Sequence, residues 1–375
     1  MTAHGGGALH RGAWLRYGGL PIGDAEIEFA VDHYAIAVLQ PWETAALERL
    51  KAARPDMTVL CYKCLSSSRS YEPGPIHTSG VSHVEAEESG EHWFAHRLDG
   101  VSRIEWATYP GHWQMAVWEE EYRQRWCDNV ADELETTAWD GVMADNDVYD
   151  DYYGLRPPIE GQRNMADVRA ALDRLISEAG ERLGSIGKLL VPNIAESRRE
   201  PGRWARHSAY GGGFEEVWLA YGPDDYFDPE TALAQTSEAK GPGLAIMRVA
   251  SDGADEHPNF LYGLATLWIF GNRATSMLSA TAHDGYSSTP YIPELDADLG
   301  QPAGDPSQRG NGWSRVFTDG WAGVNLNSGR RRKVTYSLPA GLVDVHGKPA
   351  PSRITLDPHR GAVFVRDPRG APPGA

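Results

Sequence analysis

The stretch HYAIAVLQPWETAALERLKAARPDMTVLCYKC (33–64) decides the fold. HYAIAVLQ (33–40) is a short apolar run of strand length. WETAALERLKAARP (42–55) has helical periodicity and a proline stop. MTVLCYKC (57–64) is a second apolar strand. Strand, helix, strand within 32 residues is the unit from which parallel sheets are built. The same alternation continues outward. A helical stripe runs through Trp118, Tyr122, Trp126, Val130 and Leu134, and a buried strand follows at DGVMADND (140–147). Met165 to Leu183 form another stripe. KLLVPNIAES (188–197), AYGGGFEEVWLAYG (209–222), LAIMRVAS (244–251) and ATSMLSATAHDG (274–285) supply further strands, with helices near Pro201–His207 and Pro258–Phe270 between them. With WFAHRLDGVSRIEWATYPG (93–111) as a hairpin entering the third position, eight units are counted. No glycine-rich phosphate loop follows the first strand. The pattern therefore predicts a (β/α)8 TIM barrel over residues 1–295, not a doubly wound sheet.

After a Pro- and Gly-rich stretch near 291–313, the helical period vanishes. Short strands separated by turn residues predict a small C-terminal antiparallel β domain, β-sandwich-like, over 313–367. RGAPPGA is expected to be a disordered tail within 368–375.

The chain has 375 residues, with 35 Lys and Arg against 52 Asp and Glu, a formal charge of −17. Such a balance argues against nucleic acid or an anionic membrane as the main partner. No apolar run approaches the length of a spanning helix. The start, MTAHGGGALHRGAW, lacks the apolar region of a signal peptide, so the expectation is a cytoplasmic protein or a secreted one with its signal removed. Oligomeric state is not legible. Three cysteines, Cys61, Cys64 and Cys127, are too few for a disulfide framework, and CYKC has no second ligand pair for zinc. The 13 Trp and 16 Tyr against 8 Phe offer flat apolar faces with polar edges, which suit sugars.

In a parallel barrel, chemistry sits where the strands end. DGVMAD ends in Asp145, with Asn146 and Asp147 after it, and GGGFEE ends in Glu215 and Glu216. Laid over each other, the segments set Asp145 and Glu216 at one height on alternate strands, and Glu215 on the other side. A one-residue slip would exchange the glutamates. Two carboxylates across a sugar-sized cleft are the machinery of glycosidic hydrolysis, one as acid and one as nucleophile or base. Trp218 is a candidate low-dielectric wall for the acid. Other residues at strand ends are candidate substrate contacts: Tyr62, Lys63, Asn193, Glu215, Trp218, Arg248, His283 and Asp284, with Asn146 and Asp147. Arg248 is also a candidate to orient either carboxylate. Trp106, Tyr109, Trp113 and Trp118 are candidate sugar platforms, the last also a candidate for the core.

Three segments resemble the hypothetical glycosyl hydrolase families of TIM-barrel type. WDGVMADND (139–147) is similar to their Asp-Gly-apolar strand. GGGFEEVW (211–218) is similar to their glutamate-ending strand. YIPELDADLGQP (291–302) leading to SRVFTDGWAGVNLNS (314–328) is similar to their Leu-Gly-x-Pro turn and following strand. The resemblance implies a barrel, a C-terminal β domain and hydrolysis of a polysaccharide; the substrate is expected to be a poly- or oligosaccharide, and no cofactor or metal is expected. Two other readings stand beside it. One is a carbohydrate-binding barrel without catalysis. The other is a metal-dependent hydrolase, which would need Asp145, Asp147, His283 and Asp284 to converge.

Overall fold

A computed structural model describes residues 10–329 and 331–369. Eight parallel strands close into a barrel in chain order. They are β1 (Gly12–Arg16), β2 (Tyr34–Leu39), β3 (Thr58–Cys64), β4 (Gly141–Asp147), β5 (Leu189–Ile194), β6 (Gly212–Glu215), β7 (Leu244–Arg248) and β8 (Ser276–Ser279). This is the TIM-barrel architecture, and its period-two alternation explains the interior. Leu15, Val38, Leu60, Met143, Val191, Phe214, Ile246 and Met277 pack together inside the ring. The next inward position on each of five strands is polar or aromatic: Tyr17, Tyr62, Asp145, Asn193 and Glu216. Apolar layers thus fill the barrel, and a polar layer opens at its C-terminal mouth.

Two strand assignments are corrected. The first barrel strand is GAWLR (12–16), so 34–39 is the second and 58–64 the third. Residues 93–111 enter no barrel position. They belong to a long excursion after β3, in which Ser67–Arg69 pairs antiparallel with His112–Gln114. The excursion crosses the mouth and supplies one wall of the cleft described below. The expected tail lies outside the described residues from position 370 onward.

The helices cover the barrel with apolar stripes. Glu120–Glu135 buries Tyr122, Trp126, Val130 and Leu134. Met165–Ser185 buries Val168, Leu172, Leu175, Ile176, Ala179 and Leu183. Its N-terminus is capped by Asn164, whose side chain accepts from two backbone N–H groups. The helix Pro258–Phe270 is buried nearly all round. One side lies on the barrel and the other on the C-terminal sheet. That sheet is antiparallel: Ser307–Arg309, Gly312–Val316, Gly320–Asn325, Arg360–Arg366 and Leu342–Val343, in spatial order. Gly361 is needed for the contact, because a Cβ there would lie 2.1 Å from the Leu261 carbonyl oxygen of the helix. A two-stranded ribbon, Val334–Ser337 with Arg353–Leu356, accompanies the sheet. No helix among the described residues is long and apolar enough to cross a membrane.

Candidate active site

The carboxylates meet because of parity and a bulge. On β4, Met143 points into the barrel, so Asp145 does too, one layer higher. The register with β5 then shifts between Ala144 and Asp147. Asn146 takes a left-handed conformation, φ 71°, a bulge of the kind that re-aims side chains near active sites. On β6, Phe214 points inward and Glu216 follows it. Between them, on β5, Asn193 points inward above Val191. Its Nδ2 donates to Asp145 Oδ1 at 2.9 Å and to Glu216 Oε2 at 2.9 Å. Those two oxygens are therefore no farther apart than 5.8 Å, twice that distance. Asn193 Oδ1 is buried and has no hydrogen-bond partner among the described residues.

The two carboxyls have different surroundings. Asp145 accepts from Tyr62 O–H (2.6 Å), Asn193 Nδ2 (2.9 Å), Asn146 N–H (2.9 Å) and Asn146 Nδ2 (3.0 Å). Burial and then the Glu216 charge push its pKa up, while these donors pull it back; the net direction is upward. Glu216 accepts from Asn193 and from Tyr286 O–H. Tyr62 and Tyr286 stay protonated donors, since burial first and the facing carboxylates second raise both phenols. Tyr17 stacks between them, 4.9 Å from the Tyr62 ring and 4.1 Å from the Tyr286 ring. The tyrosines form the apolar wall beside the pair. Arg69 is stacked over Tyr62 and donates to its hydroxyl at 3.1 Å while pairing with Glu72 at 3.1 Å.

The cleft over this pair encloses about 750 Å³, a volume usual for small-molecule sites. Its far wall is aromatic. Trp106 stacks on Tyr153 at 3.8 Å, and Tyr153 donates to Asn146 Oδ1. Tyr109 reaches Asp284 Oδ2 at 3.1 Å. His283 and Asp284 stand on the exposed rim.

Several sequence candidates do not reach the reacting pair. Glu215 borders the cleft, but its carboxyl is buried toward Ser197. Its Oε1 accepts Val217 N–H (3.0 Å), and burial pushes it up to about 7 beside Glu238, whose pKa is raised well above the carboxylate range by the same cause. Trp218 is no wall of the cleft: it is fully buried outside the barrel, with its indole N–H toward the Gln235 carbonyl. Lys63, one residue after inward Tyr62, points outward to Glu133 (2.6 Å) and the His77 carbonyl (2.7 Å). Arg248 orients neither carboxylate. It is buried, and it donates to the Glu216 backbone carbonyl (2.9 Å) and to Thr281. Asp147 is fully buried beneath β4, paired with Arg203 (2.5 Å) and His207 (2.5 Å). With Asp147 sealed there and His283 and Asp284 on the rim, the four side chains of a metal site do not converge. Sequence reading missed Tyr17, Arg69, Tyr153 and Tyr286. Tyr17 was findable, since it continues the inward alternation Ala13, Leu15. Tyr286 follows β8 in an irregular loop and carries no periodic signal.

The Asp147 cluster gives a stability prediction. Burial alone would lower the His207 imidazolium, but Asp147 and Asp173 outweigh it and raise the group to about 9. An unfolded histidine titrates near 6.5. The raised pKa therefore stabilises the fold fully below pH ~6.5, and the contribution disappears as pH rises through about 9. The expected loss is on the order of 3 kcal/mol. Urea unfolding between pH 6 and 10 measures it, and a curve for His207→Asn that keeps the same slope would refute the assignment.

With the geometry established, the chain was compared with known proteins. The model of hypothetical glycosyl hydrolase family 15 matches residues 51–321. No curated protein matches in sequence. Among solved structures, the maltogenic alpha-amylase AmyB from Thermotoga neapolitana is similar at TM-score 0.52, with 9% identity over 95% of this chain and 97% of its own. Aspergillus fumigatus Ega3, solved with galactosamine, gives TM-score 0.46 and 14% identity over 78% of this chain and 99% of its own. The glycoside hydrolase domain of PelA from Pseudomonas aeruginosa gives 0.44 and 15% over 78% and 97%. At these identities the likeness is one of fold.

Proposed function

Because the chain belongs to hypothetical glycosyl hydrolase family 15, we propose that it hydrolyses the glycosidic bonds of a poly- or oligosaccharide with Asp145 and Glu216 as the reacting pair. The observation that carries this reading is the shared Asn193 amide. It holds the two carboxylate oxygens within 5.8 Å, twice its 2.9 Å contacts. Pairs about 5–5.5 Å apart serve double displacement with retention, whereas inversion needs about 6.5–9.5 Å to admit a water.

In this reading Asp145 is the nucleophile. Its four hydrogen-bond donors favour the ionised form and fix its lone pairs. Asp145 attacks the anomeric carbon, and the bond to the leaving oxygen breaks as Glu216 protonates it. The covalent glycosyl–Asp145 ester is then attacked by water, whose proton returns to Glu216. Tyr286 and Asn193 hold Glu216 in place.

One observation favours the exchanged assignment. The net upward shift of Asp145 suits a proton donor, which would leave Glu216 as the nucleophile. Leaving-group dependence separates the two readings, as argued in the Discussion. The overall proposal is tested by incubating the protein and its Asp145→Asn variant with a panel of polysaccharides and assaying new reducing ends. Release by the wild type alone supports it. Equal release by both, or none by either, overturns it. Retention on a polysaccharide without release would instead favour the carbohydrate-binding barrel.

A further inference from the structure

The cleft extends beyond what one scissile bond requires. Tyr71, Tyr152 and Tyr221 line it while remaining 55%, 40% and 56% exposed. Isolated exposed aromatics are ordinary on protein surfaces. Three on the rim of one cleft are not scattered, and two of them are braced. The Tyr71 hydroxyl is bonded to His112 Nε2 at 2.7 Å. Its ring lies against Gly111, where a Cβ would come within 2.8 Å of it. Tyr221 packs on Phe227 at 4.1 Å, and the Arg198 guanidinium lies 5.6 Å from its ring centre. Each ring is thus held from one side and open on another, so binding there would cost little side-chain entropy.

The chain order places these rings on both flanks of the reacting pair. Tyr71 stands in the excursion after β3, outside Asp145 on β4. Tyr221 stands in the loop after β6, beyond Glu216. Tyr152 follows β4. An aromatic face with a polar edge matches the C–H face and hydroxyl rim of a sugar ring. We propose that Tyr71 and Tyr221 are stacking subsites for sugar rings on opposite sides of the cleavage point, so that the protein cuts within a polysaccharide chain. The inference rests on the glycosidase reading and adds to it where along the chain cleavage occurs.

The test uses the full chain with soluble starch, dextran, glycol chitosan and galactomannan. On whichever polymer the wild type cleaves, the expected early products are oligosaccharides, with a fall in polymer length at low conversion. Tyr71→Ala and Tyr221→Ala are each expected to lower kcat/KM on the polymer about tenfold. The phenylalanine variants keep the stacking face and should recover most of the rate, Tyr71→Phe less fully because it loses the hydroxyl bond to His112. Release of single sugars from chain ends, or alanine variants within twofold of wild type, would overturn the inference while leaving hydrolysis intact. If the wild type cleaves none of the four, the glycosidase reading fails on them. Affinity electrophoresis in the same polymers then decides the subsites. Retardation lost in both alanine variants sustains them, and no retardation, or retardation unchanged by the variants, refutes them.

Discussion

Asp145→Asn is expected to lower kcat by about a thousandfold or more on every substrate, whatever its leaving group. The carboxamide has nearly the shape of the carboxylate but cannot form the glycosyl ester. The accompanying change in stability should be small, because two effects oppose. The buried charge faces Glu216, and burial and that charge push the Asp145 carboxyl up, so a neutral group relieves repulsion. The amide nitrogen, however, meets two of the four donors that the carboxylate accepts from, so the thermal midpoint should move by only a few degrees. An inactive variant that unfolds ten degrees early would instead indicate a structural residue. The two readouts together separate a reacting group from a prop.

The second large effect concerns Glu216→Gln. Its expected cost on natural linkages is a hundredfold to ten-thousandfold, since the leaving oxygen loses its proton donor. For a dinitrophenyl glycoside of the same sugar, the leaving group departs without protonation, and the first step should approach the wild-type rate. In the exchanged assignment this signature moves to Asp145→Asn, and Glu216→Gln becomes the variant insensitive to leaving group. Comparing both variants on both substrates assigns the roles.

How much of this was legible in the sequence follows from parity. Asp145 and Glu216 could be placed because each ends a strand whose apolar residues alternate inward with it. The same rule, applied one residue further, turns Lys63 and Glu215 outward, and Asp147 leaves the cleft through the bulge at Asn146. Neighbours of a strand-end residue are poor candidates for the same site. Trp218 illustrates the limit differently, because chain proximity to Glu216 says nothing about which side of the wall an indole occupies. The first strand, GAWLR, was lost because it is short and follows a glycine-rich start without an apolar run. The excursion after β3 mimicked a barrel unit because its aromatic and polar residues alternate like a strand pair. The pairing of Asp147 with Arg203, 56 residues away, and of Tyr286 with Glu216, 70 away, joins different strand–helix units of the barrel. No local pattern announces such contacts.

The Asp147–Arg203–His207 cluster shows why a buried charge near a site is not part of its chemistry. It lies two residues from Asp145, yet it is sealed beneath the strand. It anchors the segment carrying Arg203 and His207 against β4. Asp145 lies two residues earlier on the same strand, across the bulge at Asn146.

The most direct measurement is proton NMR of the anomeric region during the first minutes of hydrolysis, on whichever polysaccharide the wild type cleaves. With the reacting oxygens bridged by one amide, the first-formed reducing end should have the configuration of the bond that was cut, and mutarotation should follow later. A first product of the opposite configuration would require a water between the carboxyls, and would contradict the double-displacement account.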